Sequence, residues 1–83
     1  MLRHLSLNPG IVLEVLKMMG CDLGPSSGEL HAVTNPINSR LCAVLDISGP
    51  MDGEVIEAHL KNLELSPEEF LENFNRFKAS FTR

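Results

Sequence analysis

All four aromatic residues of this chain, Phe70, Phe74, Phe77 and Phe81, fall at spacings of four, three and four near its end. Such spacing puts them on one stripe of a single helix. With no Trp or Tyr elsewhere, the largest apolar side chains are concentrated in one element, and whatever covers that stripe organises the fold. Phe70, Phe74, Phe77 and Phe81 are therefore expected to form the spine of the core rather than a binding seam.

The boundaries of that helix are written in its flanks. Ser66 precedes Pro67, and Glu69 completes a Ser-x-x-Glu capping box. Leu65 stands where it can staple onto Phe70 across the first turn. Asn8-Pro9 and Asn35-Pro36 repeat the device of a capping side chain before a proline at the first helical position. Proline loses nothing there, because its missing N–H has no partner in a first turn. These signals predict a helix over residues 9–19, stopped by Gly20. Asp52 caps a further predicted helix over about residues 53–63, with Val55, Ile56, Leu60 and Leu63 on its apolar face.

The middle of the chain supports two patterns. Ile37, Leu41, Val44 and Leu45 form a helical stripe after Asn35-Pro36, whereas Leu41, Ala43, Leu45 and Ile47 alternate as a strand does. The recurring cap favours the helix. Residues 21–28 carry Gly24, Pro25, Ser26, Ser27 and Gly28, the composition of a loop. The expected architecture is mainly α, a single domain over residues 1–83 built as a small bundle of about four helices. The alternative is an α+β fold with a short hairpin at 29–47.

An 83-residue chain buries only about 60% of the surface its unfolded form exposes, so added burial through self-association matters to it. Cys21 and Cys42 lack the density of a disulfide scaffold and point to a reducing, cytoplasmic setting. The run Met18-Met19-Gly20-Cys21 loosely imitates a lipoprotein signal, but Glu14 and Lys17 interrupt the apolar stretch before it. No segment is long and apolar enough to span a membrane.

Chemical motifs are few. Gly24-Pro25-Ser26-Ser27-Gly28 is a literal G-x-S-x-G, but a nucleophile elbow needs a strand before the serine and a helix after it, and here the predicted helix comes first. No Gly-Lys-Ser or Gly-Lys-Thr follows to make a phosphate loop. His4, His31, His59, Cys21 and Cys42 are scattered without metal-ligand spacing. His59 falls in the apolar arc between Val55 and Leu63 and reads as a half-buried histidine. No catalytic residue, cofactor or metal is expected.

Charge is uneven. From Asp46 to Glu72 there are eight acidic residues against Lys61 alone. Glu54, Glu57, Glu64, Glu68, Glu69 and Glu72 form an acidic face suited to a basic partner or to solvent. If the last two helices made a helix-turn-helix, Glu68, Glu69 and Glu72 would lead into the groove, where the phosphates repel them. Direct nucleic-acid binding is thus disfavoured. The first predicted helix is apolar around most of its circumference, so it is either the central helix of the domain or shared, with Val12, Leu13, Leu16 and Met19 as the expected contact to a second copy or another protein.

These readings converge on a small, non-enzymatic protein–protein interaction or regulatory protein, an adaptor expected to be homodimeric and to touch no membrane. The alternative is a nucleic-acid-associated regulator, either a degenerate helix-turn-helix or an acidic nucleic-acid mimic.

Overall fold

The computed structural model describes residues 2–80. Its elements run β1 (Ser6–Leu7), α1 (Pro9–Met18), β2 (Asp22–Ser27), β3 (Leu30–Thr34), β4 (Cys42–Asp46), β5 (Met51–Asp52), α2 (Gly53–Asn62) and α3 (Pro67–Ala79). Strands β2, β3 and β4 make an antiparallel sheet in that order, and β1 pairs antiparallel with β5. The fold is α+β, which corrects the expected mainly-α bundle of about four helices.

The helix ends follow local chemistry. Asn8 accepts from the Gly10 N–H at 2.9 Å, and Ser66 accepts from Glu68 and Glu69 at 3.1 and 3.4 Å. At the end of α1, Gly20 takes φ 93°, and the N–H groups of Gly20 and Cys21 bond back to Lys17 and Leu16. Helix α2 ends the same way on Glu64 at φ 53°, with Glu64 and Leu65 donating to Lys61 and Leu60.

The middle is where the four-helix reading fails. Asn35 does cap, but it caps a turn. Its Oδ1 accepts from the N–H groups of Ile37 and Asn38 at 2.7 and 2.9 Å, while its Nδ2 donates to the Leu63 carbonyl at the end of α2. Its backbone N–H meets the Leu41 carbonyl, and the chain turns back into β4 instead of continuing as a helix. Ile37 is left in solvent, while Ala43 and Leu45 alternate inward against exposed Cys42, Val44 and Asp46. The hairpin alternative at 29–47 matches the observed pairing of β3 with β4, Leu30 opposite Asp46 through Thr34 opposite Cys42. Residues 22–27, read as loop, form edge strand β2, whose register shifts between Leu23 and Ser26 around Gly24 and Pro25.

The core joins both layers: Val33, Ala43 and Leu45 from the sheet, Val12, Val15 and Leu16 from α1, Ile56 and Leu60 from α2, and Phe70 and Phe74 from α3. Phe77 packs partly against it, and Phe81 lies outside the described residues. The segment before β1 also belongs to this core. Leu2 is fully buried, its N–H donates to the Glu57 carboxylate, and the Gly53 N–H donates to the Leu5 carbonyl. Residues 2–5 thereby cross directly over the start of α2.

Candidate interaction surfaces

The residues expected to face a partner separate into two groups. On α1, Val12 and Leu16 are each 1% exposed and Leu13 and Met19 are partly buried against the core. Val12 and Leu16 therefore belong to the chain's own interior, in a core shared with α2, α3 and the sheet. Met18 of α1 is 40% exposed, and the most exposed apolar side chains lie elsewhere. Leu30 and Val44, 49% and 53% exposed, lie on the outer face of the sheet, and Ile37 projects from the turn before β4.

The acidic residues divide in their turn. Glu54, Glu57 and Glu64 line an open groove of about 640 Å³, together with Ala58, Lys61, Leu65 and Pro67. Helix α2 supplies one wall at a spacing of three to four residues, and the tight α2–α3 connection supplies Leu65 and Pro67. The left-handed Glu64 creates this bend, since a right-handed residue there would prolong α2. Glu57 already accepts from the Leu2 N–H. Glu68, Glu69 and Glu72 lie outside the groove lining, on α3. Glu68 and Glu69 occupy its first turn, where the helix dipole favours them. Glu72 meets Arg76 at 3.4 Å in the open, a pair contributing only a few tenths of a kcal/mol.

The remaining motif residues lie outside that groove lining. Ser26 sits on β2 opposite His31 of β3, on an exposed strand rather than at a strand-to-helix turn. The His31 Nδ1 lies 3.1 Å from the Ala32 carbonyl. Among the described residues no three His, Cys, Asp or Glu side chains come together as a metal site, and both cysteines are free, Cys21 buried and Cys42 exposed. Burial raises the Cys21 thiol pKa, with the Asp22 charge adding to it, so this sulfur stays protonated. His59 is half-buried on α2, and desolvation lowers its pKa. Among the described residues no helix is long and apolar enough to cross a membrane.

Sequence reasoning missed the free side of β4. In an antiparallel ladder, opposed residues alternate between pairs that exchange hydrogen bonds and pairs that do not. Ile47 donates to Glu29 and Asn35 donates to Leu41, which fixes the bonded set as 29–47, 31–45, 33–43 and 35–41. Cys42, Val44 and Asp46 consequently turn their backbone N–H and C=O groups away from β3. Among the described residues no strand pairs with that side. The alternation Leu41, Ala43, Leu45, Ile47 was the available signal, but it marks a strand without marking an edge.

Comparison with known protein families, characterised proteins and solved structures finds no match to this chain.

Proposed function

We propose that this chain is a small non-enzymatic interaction protein, a homodimeric adaptor or regulator acting in the cytoplasm, whose α2–α3 groove receives a basic segment of another protein. The observation that carries this reading is the groove itself: Ala58, Leu65 and Pro67 give it apolar surface, and Glu54, Glu57 and Glu64 outnumber Lys61 around it. A partner segment with apolar residues for those three and Lys or Arg for the carboxylates satisfies both components at once. The surrounding acidity extends the attraction beyond the groove, and two free cysteines suit a reducing setting.

The test is a titration of the isotope-labelled protein with a synthetic peptide alternating Leu and Lys, followed by amide chemical shifts. Shifts centred on Ala58, Lys61 and Leu65, weakened by salt and lost in the double variant Glu54→Lys, Glu64→Lys, support the proposal. Shifts that follow every surface carboxylate alike, or that persist in the double variant, overturn it.

A further inference from the structure

We infer that the homodimer forms by antiparallel addition of β4 to β4 of a second copy, with Val44 on the two-fold axis, making one continuous six-stranded sheet. This rests on the homodimeric part of the function proposed above and gives it a surface and a register. An edge strand with unpaired backbone groups is a template for another strand. The outward-facing residues of β4 are Cys42, Val44 and Asp46, and this set is self-complementary about Val44. A two-fold axis there places Val44 opposite its symmetry mate and Cys42 opposite the second copy's Asp46. All three pairs are then of the kind that exchanges both N–H···O bonds.

Side chains and charges agree with that register. Asp46 faces a cysteine rather than another carboxylate, so no two carboxylates are opposed. Val44 is half-exposed in the single chain, and its neighbours on the outer face, Ala32 opposite it and Leu30 on the diagonal, form an apolar patch. Pairing at β4 brings the two patches side by side. A five-residue edge buries less than a standard interface, so the dimer dissociates on dilution.

Two variants test the register. Val44→Pro deletes an N–H that points away from β3, a position where an edge strand tolerates proline. Sedimentation from micromolar to millimolar concentration should show a monomer–dimer equilibrium in the parent chain and monomer alone in Val44→Pro, with far-UV circular dichroism unchanged. Independently of that variant's folding, the register is read by cysteine oxidation. Val44→Cys in a Cys42→Ser background should give a disulfide-linked dimer, because the two α-carbons at the axis lie about 5.5 Å apart. The native Cys42 should not, because its symmetry mate is four residues along the strand, about 13 Å away. A dimer cross-linked through Cys42 as readily as through residue 44, or one that survives Val44→Pro and dissociates with Leu13→Glu, overturns the β4 register while leaving a homodimer in place. A chain that stays monomeric throughout overturns the homodimer as well, and leaves the basic-peptide titration to judge the groove.

Discussion

Gly53→Ala reverses the usual sign of a helical glycine replacement. In an ordinary helix this change stabilises by roughly 0.5–1 kcal/mol, because alanine restricts the unfolded chain and has the higher helix propensity. Gly53 opens α2 beneath residues 2–5, and a β-carbon on it would overlap the Leu2 carbonyl, with the Arg3 nitrogen only 3.1 Å away. These are backbone atoms, so no rotamer change relieves the overlap, and the overlying segment has to lift. Lifting exposes Leu2, a loss of about 1.5–3 kcal/mol. It also breaks the Leu2-to-Glu57 and Gly53-to-Leu5 hydrogen bonds, at about 0.5–1.5 kcal/mol each. Set against the propensity gain, the net loss is about 1.5–5.5 kcal/mol, which lowers the melting temperature of a domain this size by roughly 6–40 °C. Thermal and urea unfolding followed by circular dichroism measure it. The mechanism is isolated by a double-mutant cycle with Leu2→Ala, since a segment already loosened has less to lose and the two losses should fall short of their sum. A neutral or stabilising Gly53→Ala, or strict additivity, refutes the reasoning.

Asn35→Ala should destabilise by about 2–4 kcal/mol, because it removes three hydrogen bonds and strands the buried Leu63 carbonyl. Hydrogen exchange should accelerate first at the Ile37 and Asn38 amides, whose acceptor is lost. The His59 contribution to pH dependence follows from its lowered pKa: the folded state disfavours the imidazolium, so the unfolded state binds more protons between the folded value and the ordinary 6.5. Its stability contribution is intact above 6.5 and is lost as pH falls toward the folded value. Urea midpoints across that range should decline for the parent chain and flatten for His59→Gln, apart from the later loss in the carboxylate range where Asp46, held low by Ser48, protonates.

Much of the helical part was legible because its signals are local. Asn8, Gly20 and Ser66 act on neighbours a few residues away, and the structure uses each as its chemistry suggests. Phe70 and Phe74 declared the core by size and spacing. Asn35 shows where local signals stop: the same side-chain acceptor caps a helix or closes a turn, and the choice between them depends on β3 and on the Leu63 carbonyl, which lies 28 positions away. Strand β2 was hidden because nearly all its side chains are exposed, leaving no alternation to read. Of the candidate surfaces, the acidity of Glu54, Glu57 and Glu64 was visible, but Leu65 and Pro67 join them only through the bend at Glu64. The apolar circumference of α1 suggested a central or shared helix, and Val12 and Leu16 lie inside the chain's own core, together with residues of α2, α3 and the sheet.

The irregularity in β2 decides how far any assembly of this protein can grow. The shifted register between Leu23 and Ser26 breaks the regular spacing of the backbone groups that β2 turns outward and bends the strand, so the β2 side of the sheet is a poor template for another chain. Among the described residues of this three-stranded sheet, the β4 side is the edge with a regular run of outward backbone groups. Two copies joined there leave their β2 strands at both outer margins of the combined sheet, each refusing a further strand. A dimer joined in this way would have no regular edge left for a third chain, so the bulge in β2 would hold its growth to two copies.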